Sequence, residues 1–404
     1  MRASAYPLID AVEAHETVLR LTPVLPVEAV PLSAAAGRVL AEELVAPRDL
    51  PPWPSSAVDG YAVRSADAGG TLRVVGESAA GHPFAGRLEP GTAARVLTGG
   101  VVPDGADAVV MVEDVTVQED RVDVPRGVKP GANFHPPGAD ARAGEKVLDP
   151  GLALGPAELG LAAALGMARL PVHRRPRVAL LSTGDELVEV GEEPGPGQIV
   201  DSNRWALLAA LAEAGAEVRQ HGIAPDRPDA LRALVVSALR EADVLVTSGG
   251  VSVGTHDLVK PLLERLGEVH IGRVKLRPGK PFTFATLPEG RLAFGLPGFP
   301  VSSLVTFEVF VRPALRKLQG FGQLERPTLP VRLGYDARAA GDRTEYQRVT
   351  LAREGPELVA TSTGSQSSSR LLSLAGAHAL VRIPPGDEGI AKGSRVEAII
   401  LTLP

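Results

Sequence analysis

Apolar positions change period several times along the chain, and each change predicts a different kind of element. Ile9, Val12, His15 and Leu19 recur at helical spacing and predict a helix over about residues 8–20. The Pro-rich stretch Thr22–Pro31 ends it, and Ser33–Gly37 predicts a short second helix before extended chain to Pro47. Leu50–Val63 carries prolines around Trp53, which fix an extended backbone, and then the turn pair Asp59-Gly60. From Thr71 to Asn133 short β-runs follow one another: Leu72–Val75, Ala94–Leu97, Ala108–Val112 and Val122–Val124. Glycine and proline turns separate them, which predicts a small all-β unit. Lys129–Lys146 leaves that unit through loops bearing Asp140. Helical spacing resumes over Pro156–Leu165, so the N-terminal helical layer is expected to be discontinuous.

Strands and helices alternate from about 177 to 320, predicting an α/β array. Val178–Leu181 and Val244–Val246 are short apolar runs of the kind buried on both faces of a parallel sheet, and Glu217–Ile223 is a further strand. Between them Asp201 or Ser202 can cap a helix presenting Trp205, Leu208, Leu211 and Ala212 on one face. Asp226 precedes another helix, with Leu231, Leu234, Val235, Ala238 and Leu239 on its buried side, and Leu258–Leu266 is helical too. Val269–Leu276, Phe282–Ala285 and Leu292–Phe294 are strands. Pro300 suits the first turn of a helix over Val301–Leu318, in which Pro313 should produce a kink. The β-runs Val331–Leu333, Tyr346–Leu351, Leu358–Ala360, Ala379–Ile383 and Val396–Leu401 predict a second barrel-like unit at the C-terminus.

Composition narrows the function classes. The 404 residues carry a net charge of −6, which argues against broad nucleic-acid or membrane-surface binding and makes any anion site local. The absence of cysteine removes disulfides, thiolate metal ligands and a cysteine nucleophile. No apolar run approaches about 18 residues, and Asp10, Glu13 and Glu16 do not read as a signal peptide, so the cytoplasm is the expected compartment.

Candidate chemistry gathers on loops at strand ends. Ala242–Asp257 runs from a buried strand into Thr247, Ser248, Gly249 and Gly250, then Gly254 and Asp257. Paired glycines let backbone approach a ligand and direct N–H groups at an anion, although an ordinary strand-to-helix turn has the same composition. With S-T-G-D-E-L at 182–187 and G-L-P-G-F-P at 295–300, it should converge on one sheet edge. A cationic run contributes Lys275, Arg277 and Lys280 around a Pro-Gly turn. Carboxylates (Glu186, Asp257) beside fixed cations are costly without a ligand between them. A polyanionic substrate with Mg²⁺ would satisfy both, the metal taking carboxylates and phosphate oxygens.

These motifs, together with S-A-V-D-G-Y-A, L-T-G-G-V-V-P-x-G-A-D-A-V-V, R-P-G-K-P-F and T-G-S-Q-S-S-S-R, closely resemble the molybdopterin molybdenumtransferase family, bacterial MoeA and the gephyrin E domain. The resemblance runs in order from about residue 5 to the C-terminus. It implies a multidomain α/β plus β protein: a molybdopterin-binding doubly wound α/β domain (177–320), an inserted small β-domain (47–140), a discontinuous helical layer (1–46 and 141–176) and a C-terminal β-barrel (321–404). It also implies a homodimer in which the β-domain of one subunit closes over the cleft of the other. The implied reaction cleaves adenylylated molybdopterin, releases AMP and inserts molybdate into the dithiolene with Mg²⁺. Carried over by motif, Asp59, Thr98, Asp140, Glu186 and Asp257 would be catalytic, with Glu186 and Asp257 also on the metal. Ser248, Gly249, Gly250, Ser252, Pro297 and Pro300 would contact substrate, and Arg277, Lys280, Ser302, Arg348 and Ser368 would bind molybdate. Molybdopterin adenylyltransferase is a further candidate partner.

The sequence departs from the family at three points. Phe299 stands where Asn is usual, Pro136-Pro137 replaces a more basic stretch, and Ser367 replaces a common Gly. Three other readings stay open. A tungstate-selective or weakened paralogue would follow from Phe299, an adenylyltransferase-like enzyme would not need residues 1–176 and 321–404, and a scaffold would not need Asp59, Glu186, Asp257 or Lys280.

Overall fold

The computed structural model describes residues 6–251 and 258–403. Its centre is a six-stranded sheet in the order Glu217–Ala224, Arg177–Thr183, Val244–Ser248, Arg291–Leu296, Thr283–Leu287, Glu268–Ile271. The first four strands are parallel, in a register that sets Val178 beside Val244 and Val244 beside Leu292. Every residue of Val244–Ser248 is buried, because helices cover both faces of the sheet. One face packs against α3 (Asn203–Glu213) and the long C-terminal helix of this unit. The other packs against α4 (Pro228–Ala238) and α5 (Val259–Leu266).

That long helix begins with Pro300 in its first turn, as expected, and its response to Pro313 is specific. α6 (Pro300–Thr306) passes through a π-turn at Phe307–Val311 before α7 (Arg312–Leu318). Proline cannot donate to the helical ladder, and the wider turn before it absorbs the interruption. The helix α1 (Ala11–Leu21) buries Ala11, Ala14 and Val18 against this same core. By contrast α2 (Pro156–Ala164) packs in a separate small core with Val30, Leu40, Leu170 and Val172.

The Pro-rich segment read as a helix breaker contains a strand, Val27–Pro31, paired antiparallel with Arg169–His173. Its proline is tolerated because the ladder has only two strands, so that residue needs no second partner. The face expected for α3 is also shifted. Arg204, Leu207 and Leu211 are buried, whereas Trp205 is 47% exposed and Ala212 is exposed. Arg204 can face inward because Asp201, buried with it, lies 3.1 Å from its guanidinium and Glu189 pairs with its other side. The capping role falls to Asp201, whose Oδ1 accepts from the Arg204 N–H at 3.1 Å.

The inserted β-unit is a second six-stranded sheet, ordered Ala108–Met111, Gly60–Val63, Thr92–Val96, Thr71–Ser78, Arg121–Asp123, Thr116–Gln118. The C-terminal unit closes on itself as a five-stranded barrel, because Thr344–Glu354 pairs with both Glu357–Ser362 and Ala379–Ile383. The short strand Leu276–Arg277 leaves the α/β unit to pair with Thr344–Glu345 of the barrel. The cationic run is thereby stitched between the two units. Among the described residues no helix is long and apolar enough to cross a membrane.

Candidate functional site

A cavity of about 620 Å³ opens where the α/β strand ends meet the barrel. Glu186, Arg277, Lys280, Pro297, Ser302 and Ser368 line it, together with Ile199, Phe299, Arg343, Gln366 and Ser367. Each arrives by a different local device. Glu186 follows the strand Arg177–Thr183 and folds back over Gly184, where a Cβ would stand 2.3 Å from its carboxylate. Arg277 and Lys280 flank a turn whose Gly279 has φ +123° and whose Cβ would meet Thr306 at 2.5 Å. Only glycine lets that turn lie against α6. Ser302 sits in the first turns of α6, and Ser368 is tied to it because its carbonyl accepts from the Val301 N–H at 3.1 Å.

The cavity is rich in positive charge. Arg277, Lys280 and Arg343 face it against one described carboxylate, Glu186. Arg277 is partly balanced from outside the cavity wall by buried Glu345 at 3.6 Å. Three cations, three serine hydroxyls and one carboxylate suit an oxyanion with several oxygens better than a neutral ligand.

The glycine-rich loop stands beside this cavity. The Gly249 N–H donates to Leu296 O at 3.0 Å, which couples it to the G-L-P-G-F-P loop. Gly249 and Gly250 have φ of +87° and +66°, and a Cβ on either would collide with Thr183. Their glycine character is therefore required by packing as well as by any ligand. Asn203 joins the two loops: its Nδ2 donates to Ser248 Oγ at 2.8 Å and to Gly298 O at 2.7 Å. A carbonyl only accepts, so the amide nitrogen must face Gly298. Ser248 Oγ then accepts from Asn203, and its own proton is free to be donated elsewhere. The Asn203 Oδ1 is buried without a hydrogen-bond partner.

The predicted residues do not all meet. Ser252 and Asp257 lie outside the described residues. Pro300 does not line the cavity but begins the helix below it. Asp59, Thr98 and Asp140 belong to the inserted β-unit and its exit loop, are exposed, and do not line it either. Asp59 and Thr98 do form a pair, since Asp59 Oδ1 accepts from the Thr98 N–H and hydroxyl, both at 2.7 Å. The backbone bond first, then the hydroxyl, holds the Asp59 carboxyl below its ordinary 3.8.

Arg348 departs most from expectation. It is fully buried inside the barrel and does not line the cavity. Its guanidinium donates to Ser373 Oγ at 3.1 Å and to Ser367 O at 3.2 Å, while the second terminal nitrogen is unpartnered. Burial pulls it down to about 10. Its contacts hold the Ser367 loop, which lines the cavity. Arg343, five residues earlier, is the barrel arginine on the cavity wall, and the sequence reading missed it. Asn203 and Gln366 were missed as well.

Among the described residues no group of three or more histidines or carboxylates is arranged to hold a metal ion. Magnesium in phosphate chemistry keeps waters and takes one or two carboxylates plus substrate oxygens. Glu186 on a cavity wall fits that donor set once a phosphate is present.

Sequence models of three regions match the chain: the MoeA N-terminal region (domain I and II) at residues 9–166, a probable molybdopterin binding domain at 179–317, and the MoeA C-terminal region (domain IV) at 330–401. The chain is 41% identical to a molybdopterin molybdenumtransferase from Nostoc sp., over 93% of this chain and 89% of that one. It is 36% identical to gephyrin from Dictyostelium discoideum, over 99% of this chain and 63% of that longer protein. Among solved structures, a molybdopterin biosynthesis MoeA protein from Pyrococcus horikoshii superimposes with a TM-score of 0.84 at 33% identity, covering 98% of this chain and 99% of that one.

Proposed function

The chain belongs to the MoeA family of molybdopterin molybdenumtransferases, and from that premise we infer how it acts as an enzyme of molybdenum cofactor biosynthesis. Its reaction transfers molybdenum to molybdopterin. In our proposal the substrate arrives adenylylated, the pyrophosphate link is cleaved with release of AMP, and molybdate enters the dithiolene.

The observation that carries this reading is the cavity between α/β unit and barrel, which offers three cations and three serine hydroxyls to an oxyanion. Arg277, Lys280 and Arg343 bind the tetrahedral oxyanion through charge-assisted hydrogen bonds, and Ser302 and Ser368 complete its coordination. Ser248, which accepts from Asn203 and keeps its own proton, donates that proton to a substrate oxygen beside Gly249 and Gly250. Pro297 shapes the wall that meets the substrate, and Pro300 starts the helix that carries Ser302. Glu186 would hold Mg²⁺ with Asp257, and the ion when bound would neutralise phosphate charge. Without the metal, Glu186 remains the described carboxylate able to move a proton in the cavity.

Asp59, Thr98 and Asp140 enter the proposal through a second copy of the chain. They are exposed and away from their own cavity, which supports a homodimer whose β-unit completes the partner's site. The division into 1–46 with 141–176, 47–140, 177–320 and 321–404, the cytoplasmic setting and hand-over from an adenylyltransferase belong to the same proposal. The test is AMP release from adenylylated molybdopterin with molybdate and Mg²⁺, comparing wild type with Lys280→Ala. Equal turnover and equal molybdate half-saturation would overturn the cavity's role.

A further inference from the structure

Phe299 stands in the cavity wall with 60% of its surface exposed. Nothing in the fold's own stability calls for it there. It occupies the N-cap of α6, at φ −73° and ψ 131°, and contributes no capping hydrogen bond. Ser, Thr, Asp or Asn at such a position would accept a free N–H of the first helical turn. An exposed aromatic ring also leaves in water a surface that burial would stabilise.

The backbone beneath the ring is clamped on both sides. Asn203 Nδ2 donates to the preceding carbonyl, Gly298 O, at 2.7 Å. The carbonyl of Phe299 itself accepts from the Ser303 N–H at 2.9 Å, and the Val301 N–H reaches Ser368 O at 3.1 Å. Pro297 and Pro300 fix the chain at either end of the segment. Around the same cavity, Ile199 and Pro281 add apolar surface, while Arg277, Lys280 and Arg343 supply positive charge. The cavity therefore suits a molecule that is planar and aromatic in one part and anionic in another.

We propose that Phe299 is a stacking platform for a planar heteroaromatic ring of the substrate and so determines specificity in this chain. The proposal rests on the functional reading above, whose substrate carries two such rings, a pterin and an adenine, joined through phosphates. Aromatic rings prefer offset stacking with centroids several ångströms apart, and a phenyl ring with two side-chain torsions on a fixed backbone loses little freedom on forming that contact. The cations then meet the phosphates or molybdate while the ring lies on Phe299.

The test titrates the full-length protein by calorimetry with three separate probes: pterin-6-carboxylate, AMP and molybdate. Wild type is compared with Phe299→Leu, which keeps apolar bulk without a ring, and Phe299→Tyr, which keeps the ring. The expected result is a roughly ten-fold weaker affinity of Phe299→Leu for one ring probe, about 1.4 kcal/mol. Phe299→Tyr should match wild type, and molybdate affinity should be unchanged in both. Loss confined to the pterin assigns the ring to the pterin, and loss confined to AMP assigns it to the adenine. If wild type binds a ring probe and Phe299→Leu binds it equally well, the platform is refuted while the functional reading stands. If wild type takes neither ring, the functional reading fails and the platform with it.

Discussion

Arg343 and Arg348 stand five residues apart in the barrel, and exchanging each for alanine separates a ligand contact from a structural support. Arg343 lines the cavity with its side chain about one-third exposed, 3.8 Å from Asp342. A charge-assisted hydrogen bond contributes about 1.5–3 kcal/mol, and solvent around a partly exposed group brings the value to the lower end. Arg343→Ala should therefore raise the molybdate concentration for half-maximal cofactor formation about ten-fold. Its melting temperature should stay within about a degree, as for most surface substitutions. Arg348→Ala should do the opposite. It deletes a fully buried side chain, leaves Ser373 Oγ without its donor and leaves Ser367 O with only the Arg370 N–H. The cost is on the order of 3 kcal/mol, from the void and the unpaired groups together. Its melting temperature should fall by several degrees, with loss of order in the Ser367 loop visible as faster amide exchange. The assay is molybdate titration of cofactor formation beside thermal unfolding of both variants. A silent Arg343→Ala together with a thermally normal Arg348→Ala that loses molybdate affinity would refute the assignment.

Four further outcomes follow from the same geometry. Glu186→Gln should lower the AMP-release rate about a hundred-fold or more with an unchanged melting temperature, since it removes an exposed carboxylate on a loop; near-normal turnover would free Glu186 of any metal or proton role. Mixed dimers of Asp59→Ala and Glu186→Gln subunits should recover part of the activity neither variant shows alone, because one of the two clefts would be intact; demonstrated heterodimers without rescue would place the site within one chain. The Asp59–Thr98 pairing holds a carboxyl depressed below 3.8, so its contribution is present above that pH and is lost as pH falls through the lower folded value. Thr98→Val should move the Asp59 titration, followed by NMR of the carboxyl carbon, back up toward 3.8. Gly279→Ala should destabilise by at least about 1 kcal/mol, as a side chain at positive φ against Thr306 demands, and an unchanged denaturation midpoint would show that the turn can relax.

The α/β order was legible because strands buried on both faces write themselves as continuous apolar runs, Val244–Val246 most clearly. The barrel strands were legible for a similar reason. The loops after the strands could be assigned chemistry because glycine, proline and charge cluster there together. Which arginine of the barrel faces the cavity was not legible. Thr344–Val349 is buried at every position, so alternation gives no inside and outside, and Arg348 in that run carries no mark of its burial. Arg204 deceived the reading of α3 in the same way: a buried arginine neutralised by Asp201 looks in sequence like a solvent-facing charge. Asn203 was hidden by its neighbours, since Asp201-Ser202-Asn203 reads as helix-capping chemistry and its two long-range bonds depend on loops 45 and 95 residues away. The strand Val27–Pro31 was hidden by the prolines in and around it and by a partner some 140 residues downstream.

In the proposed reaction this cavity inserts the metal and AMP is released. The most direct measurement supplies purified protein with adenylylated molybdopterin, Mg²⁺ and increasing molybdate, and follows AMP and assembled cofactor in the same reaction. The account predicts that both products appear together in equal amounts, and that Lys280→Ala needs roughly ten-fold more molybdate for the same yield. AMP and cofactor formation that are absent from wild type, or that ignore the loss of Lys280, would contradict it.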